Sequence, residues 1–354
     1  MDFSGRGEVG IMADYNLQNG YAGNKATFEN HLTRFTIWNV YTKAVQDVTA
    51  SVHNIKWITD LEAATQLTFD VMRGNFEFIP WNGDQVVMEW NGEVIFTGWV
   101  FKRDLDQDDK WSLIAYPASR YLKGTGTYQW PAASSSDRFA RIAQDIQIPY
   151  KILDVNKYKV PAEITDGATY FDMVNKAAET ARTHTGERFF LMDAGDGTIQ
   201  HVSTARLETK YLLGDAANVQ SWKFSASIED TSNIVTVIHE DSKTKKRQTY
   251  TARDNGTIPY WGPLIHTETL SGSKINEAQV REKAESLLRE KNVEKKSFSL
   301  TILGDLKIRA GVSFYVDMWE VRSVGLPAFT KVLVTKATHN FDNPWSVDLE
   351  VTAV

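Results

Sequence analysis

The chain has no cysteine among its 354 residues. That removes disulfides, thiolate zinc sites, iron–sulfur clusters and cysteine nucleophiles together. The compartment stays open, because such a chain works in reducing or oxidising surroundings. Long apolar runs are also missing, and none approaches the ~18 residues of a membrane span. Residues 1–30 lack the basic start and apolar stretch of a secretory signal. Synthesis in the cytoplasm is therefore expected. Positive charge is in deficit: 39 Lys and Arg against 45 Asp and Glu leave a net charge of −6. A general nucleic-acid surface would be basic, so that class starts low. What is present suits a globular protein. Apolar residues make up 42% and charged residues 24%, enough for a large core. The length suggests two or three domains at roughly 150 residues each.

Motifs for chemistry are scarce. Gly5, Gly7 and Gly10 match the dinucleotide spacing. They lack the strand before and helix after that would seat a pyrophosphate, so a plain arm over 1–30 is the better reading. No phosphate loop and no GxSxG elbow occur. His31, His53, His184, His201, His239, His266 and His339 form no close pair of ligands. Asp104, Asp106, Asp108 and Asp109 imitate the start of a calcium loop. Asp109 and Ala115 stand where that loop needs its glycine and glutamate, which leaves a hairpin tip. Lys243, Lys245, Lys246 and Arg247 form the one basic cluster and read as a second hairpin tip. No catalytic residue, cofactor or metal is expected.

The pattern along the chain is β, then α/β, then β. Strand-like segments fall at 33–41, 51–57, 66–72, 85–90, 93–103 and 111–116. Asn91-Gly92 between two of them is a hairpin signal. Ser134, Ser135 and Ser136 offer caps to a helix carrying Phe139, Ile142, Ala143 and Ile146. Thr169 with Asp172 opens another, and Gly186 follows its end. A hairpin around 193–197 completes an insert of roughly 80 residues. A helix at 276–291 interrupts the last strands, with Val280, Ala284, Leu287 and Leu288 as its buried stripe. The fold class expected is α+β and β-rich, with two small β-barrel or sandwich modules and an α/β insert between them. The expected domains are an arm at 1–30, a first barrel at 31–120, the insert at 121–215, and a second β region at 216–354. Discontinuous domains are compatible with this order. Gly83-Asp84 and Gly304-Asp305 each precede a β segment, which predicts that the two β modules superpose.

The order of motifs resembles a known family, the phage tail baseplate hub proteins of the PBSX-like, XkdQ type, related to late control protein D. The residues carrying the resemblance begin with Gly83-Asp84-Gln85-Val86 and Val94-Ile95-Phe96-Thr97-Gly98. Arg120-Tyr121-Leu122-Lys123 follows, then Ser227-Ile228-Glu229-Asp230 with Asn233-Ile234-Val235. Tyr260-Trp261-Gly262, Gly304-Asp305, Ile308-Arg309-Ala310-Gly311 and His339-Asn340-Phe341 complete the series. Trp261 separates Tyr260 from Gly262 where the family often has them adjacent. Residues 1–30 have no counterpart.

The resemblance implies a non-enzymatic structural hub. Three copies would form a ring with six similar modules, joining a sixfold tail tube to a threefold spike. Partners the resemblance implies are the chain itself and the tube and spike proteins, with tape measure and LysM-type baseplate proteins as further candidates. DNA would pass through the channel without being held. The place of work would be host cytoplasm during assembly, then a virion or injection particle. No fused peptidoglycan hydrolase is expected after the last strand. The chain carries eleven tryptophans, which suit core plus interface. Trp90, Trp99, Phe314, Trp319 and Trp345 are the candidate interface aromatics, some expected at chain boundaries, the alternative being that they fill the module interiors. The rival reading is a glycan-binding or peptidoglycan-hydrolysing tail protein, supported by tryptophans and acidic loops.

Overall fold

Seven strands open the chain: β1 (Leu32–Trp38), β2 (Val45–Asp47), β3 (Val52–Asp60), β4 (Gln66–Met72), β5 (Gln85–Trp90), β6 (Glu93–Leu105) and β7 (Lys110–Tyr116). The computed structural model describes residues 31–73, 79–214, 219–241, 247–272, 276–323, 325–342 and 344–354. The arm expected at 1–30 lies outside them. β4, β5 and β7 alternate between buried and more exposed positions, as strands with one face on a core must. Leu67, Phe69, Val86, Met88, Leu113 and Ala115 belong to that core. Asn91 and Gly92 have φ of 51° and 81°, so the β5–β6 connection is the tight turn that Asn-Gly favours. The acidic loop is the β6–β7 tip: the Asp106 carboxylate accepts from the N–H groups of Asp108 and Lys110.

A 3₁₀ turn at Ala118–Lys123 leads into the insert. Its elements are β8 (Thr125–Trp130), α1 (Ser135–Asp145), β9 (Tyr150–Ile152), β10 (Glu163–Thr169), α2 (Tyr170–Thr185), β11 (Phe189–Asp193) and β12 (Ile199–Ser203). Ser134 and Asp137 close a capping box on α1. Thr169 caps α2, and Gly186 ends it in the left-handed region at φ 76°. Phe139 and Ile142 of α1 meet Phe171 and Val174 of α2 over Leu122 and Trp130.

The remaining elements are β13 (Glu208–Gly214), β14 (Val219–Ser227), β15 (Ile234–Asp241), β16 (Arg247–Arg253), β17 (Ile265–Gly272), α3 (Glu277–Lys291), β18 (Lys295–Leu303), β19 (Ser313–Asp317), β20 (Thr330–Asn340) and β21 (Ser346–Ala353). The chain divides into two units. One runs up to Trp222 and resumes at Ser299–Val354; the other is Lys223–Phe298. The second unit therefore interrupts the region expected as a single second β module. In it β15 pairs antiparallel with β16 and parallel with β17. Asn276 and Gln279 form a capping box at the start of α3. Val280, Ala284 and Leu287 then pack on Val235, Val237 and Ala252. Most of the basic cluster, Lys243, Lys245 and Lys246, lies outside the described residues. The flanking strands pair as far as Glu240 opposite Arg247.

The β-rich α+β class is borne out; of the barrel or sandwich modules expected, no closed barrel forms among the described residues. The strand order of the first unit is β18-β21-β20-β3-β4-β7-β6-β5-β1-β2, with β19 on β20 and β13 on β19. Closure of the first module would require β3 to bond back to the far edge of that module. Instead β3 is taken by β20, with Asp60–Lys56 opposite Lys336–Asn340. The strands of both expected modules thus enter one continuous sheet.

The two Gly-Asp pairs also differ in their physics. Gly83 has φ 93° with open space around its missing Cβ. At Gly304 an added Cβ would stand 1.9 Å from the Trp345 ring. Gly83→Ala is therefore expected to cost about 1–2 kcal/mol from conformation alone. Gly304→Ala, an overpacking change, should cost about 3 kcal/mol. Urea unfolding of both variants checks the order, and an equal or smaller loss for Gly304→Ala would count against the packing argument.

Candidate functional site

The family-pattern residues form small structural clips, and the structure does not bring them into one pocket. Asp84 is fully buried. Its carboxylate accepts from the N–H of Trp81 at 2.7 Å, the N–H of Val40 at 2.8 Å and the Asn39 side chain at 3.4 Å. It thereby ties the β1–β2 connection to the turn that Gly83 starts. Phe96 is core, and Gly98 leaves room for the Tyr116 carbonyl, which a Cβ would approach to 2.5 Å. Leu122 is buried while Tyr121 is largely exposed against Trp99 and Phe101. Gly311 sits at φ 91° with the Phe190 ring where a Cβ would be. Asp305 accepts from the Lys307 N–H.

In the second unit Asn233 is fully buried. Its side chain donates to the Gly262 carbonyl at 2.9 Å and accepts from the Leu264 N–H at 2.9 Å. Asn233 and Gly262 are therefore brought together. Ser227 accepts from the Glu229 N–H, and Asp230 pairs with Lys295 at 2.9 Å on the surface. Each of these jobs closes a turn or seats a loop.

His339 sits at the centre of an aromatic group with Trp57, Phe341 and Trp345 around it at 4.9–5.9 Å. Its Nε2 lies 2.9 Å from the Ile308 carbonyl. A carbonyl only accepts, so Nε2 carries the proton and donates. Burial pushes the imidazole down to about 4. Asp193 does the reverse: burial pushes its carboxyl up to about 6. Hydrogen bonds from Ser119 (at 2.7 Å) and Thr65 oppose that rise only in part. Arg309 donates to the Asp193 carbonyl at 3.4 Å. Asp193 thus joins β11, the 3₁₀ turn, the β3–β4 loop and the segment before β19.

One cluster that the sequence did not reveal has the atoms of a hydrolase. Ser135 Oγ lies 2.9 Å from His201 Nε2, and His201 Nδ1 lies 2.8 Å from the Asp154 carbonyl. The carbonyl forces the proton onto Nδ1, so Ser135 donates to Nε2 and accepts from the Asn156 amide at 2.9 Å. Three serines at a helix start read as caps, and nothing in their spacing points to His201. Ser135 and His201 are both fully buried. A nucleophile needs access to substrate, so this polarity serves packing. Nearby Arg138, also fully buried, pairs with Glu163 at 2.7 Å. Among the described residues no group of three potential ligands is placed to hold a metal.

Surface aromatics separate into two kinds. Trp90 and Phe314 are core, which corrects their expected place at a chain boundary. Trp90 packs on Phe341 at 4.5 Å and Trp345 at 5.1 Å. Trp345 and Trp99 are half-buried, the latter against the insert core. Trp319 is 72% exposed, and Phe329 and Tyr41, not singled out in the sequence, are similarly open.

Two outcomes are expected. A serine-reactive fluorophosphonate leaves the native protein unlabelled, and Ser135→Ala lowers stability by about 1–3 kcal/mol by stranding His201. Labelling of the folded chain at Ser135 would refute the packing role. For the titrating pair, Asp193 stabilises below 3.8 and loses that contribution as pH rises through about 6. His339 stabilises above 6.5 and loses its contribution as pH falls towards about 4. Relative to the unsubstituted chain, Asp193→Asn should weaken on acidification from pH 6 to 4, and His339→Gln should weaken as pH rises over that range. Urea midpoints across pH 4–7 read this, and parallel profiles would contradict it.

The profile of the YQBQ-like family matches residues 55–352. The chain is 29% identical over 243 residues to YqbQ of Bacillus subtilis, covering 68% of this chain and 73% of that one. It is 27% identical over 242 residues to the phage-like element PBSX protein XkdQ of the same organism, covering 67% and 73%. The 43 kDa tail protein of prophage MuSo2 from Shewanella oneidensis shares the fold with a TM-score of 0.64. That likeness has 12% identity and spans 90% of this chain and 98% of the other. The resemblance to the XkdQ type read from the motifs is therefore borne out, and the chain belongs to the YQBQ-like family.

Proposed function

We propose that the chain is a structural hub of a phage tail baseplate or related injection particle. In this reading three copies form a ring that joins the sixfold tail tube to the threefold spike. The observation that carries it is family membership combined with a tail-protein fold over nine-tenths of the chain. The chemistry agrees with a part that binds without turnover. The polar residues that most resemble catalytic groups, Ser135 and His201, are sealed in the interior. Other partners would be tape measure and LysM-type baseplate proteins, with DNA only in passage and the virion as final location. The negative net charge suits a channel wall past which DNA slides.

Sedimentation across a concentration series, with and without spike protein, is expected to show a trimer that buries well over the ~1,600 Å² of a standard interface. A partner that completes weak contacts would shift the equilibrium towards the trimer. A strict monomer under every condition, or a twofold dimer, would overturn the hub reading.

A further inference from the structure

Two unlike surface features lie on the first unit. The first is a knob at the β19–β20 connection. Trp319 is 72% exposed and Phe329 is 61% exposed. Phe329 is held at φ 54°, a conformation that is an outlier for a bulky side chain and tends to mark functional surfaces. Glu320 beside Trp319 is exposed. The second is a groove of about 370 Å³ on the outer face of β1, β2 and β5, where Trp38, Val45 and Val87 lie among Thr36, Gln85 and the Arg34–Glu89 pair. Val45 is 58% exposed in the groove and Tyr41 is 70% exposed in the β1–β2 connection next to it. Lys43 lies over the Trp38 ring at 4.7 Å. β2 pairs only with β1 among the described residues, so its outer edge stays open.

These are different surfaces. β20 runs about 33 Å from Thr330 to Asn340, while β5 runs about 17 Å from Gln85 to Trp90. Their far ends meet where Trp90 touches Phe341. The knob sits at the Thr330 end of β20, and the groove lies on β1, β2 and β5, none of which pairs with β20. Charge distinguishes them too. Among the described residues neither Glu320 nor Lys43 has an ion-pair partner, and the two carry opposite sign.

We propose that the Trp319–Phe329 knob of one copy of this chain seats in the Trp38–Val45 groove of the next, with Glu320 facing Lys43. The occupant is a second copy because one chain carries both halves: exposed aromatics beside the Glu320 carboxylate, and a groove with Trp38 and Val45 beside the Lys43 ammonium. Such a head-to-tail contact closes into a ring when its rotation allows. The inference rests on the hub reading for the number three, and it adds which surfaces meet.

The absence of cysteine makes the test direct. In the full chain, Ala44→Cys and Ser323→Cys are introduced together and treated with a short bifunctional maleimide. The expected product is a ladder up to a linked trimer, with neither single variant cross-linking, because like positions do not meet in a head-to-tail ring. Trp319→Ala should weaken self-association roughly tenfold or more, as loss of an aromatic anchor does. Glu320→Lys and Lys43→Glu should each weaken it, and the double exchange should restore it. A trimer that shows no 44–323 cross-link, or that is indifferent to Trp319→Ala and the charge exchange, overturns this contact and leaves the hub reading standing. A monomer at all concentrations overturns both.

Discussion

The pairing of β3 with β20 is the constraint on which the rest of the first unit depends. It joins residues 56–60 to residues 336–340, a separation that costs loop-closure entropy before any contact offsets it. The return comes from one face of the pair. Trp57 meets His339 directly, and Trp345 and Phe341 fill in around them. Gly304 leaves the space that the Trp345 ring needs. Because β3 spends its outer edge on β20, the first module cannot close on itself. The sheet stays continuous, and among the described residues β2 stands at one end of its strand order.

Most of the polar chemistry inside the chain is committed to holding segments together. Asp84, Asn233, Asp193 and the Ser135–His201 pair each join pieces distant in sequence through hydrogen bonds in a buried setting. Such bonds are strong locally and costly to break, since a stranded buried partner loses its water as well. Asp193 and His339 are displaced in opposite directions by the same cause, burial, which disfavours whichever form is charged. A protein whose buried ionisable groups are structural pins is suited to rigidity under load.

Local signals were legible in the sequence because they act over a few residues. Asn91-Gly92, the Ser134 and Thr169 caps, Gly186 and the α3 stripe of Val280, Ala284 and Leu287 each follow from backbone sterics or helical period. The β-rich α+β class and the family resemblance were readable for the same reason: both are carried by the order of short segments. What only the tertiary structure decided is how those segments pair. Nothing local to Trp57 or His339 says that β3 joins β20, so two separate barrel or sandwich modules were expected where one sheet forms. Nothing near Trp90 or Phe314 distinguishes an aromatic facing the core from one facing a neighbour, whereas Trp319 stands outside. Strand partners and side-chain facing depend on contacts between residues hundreds of positions apart, and an alternating pattern reports only that a strand has two faces.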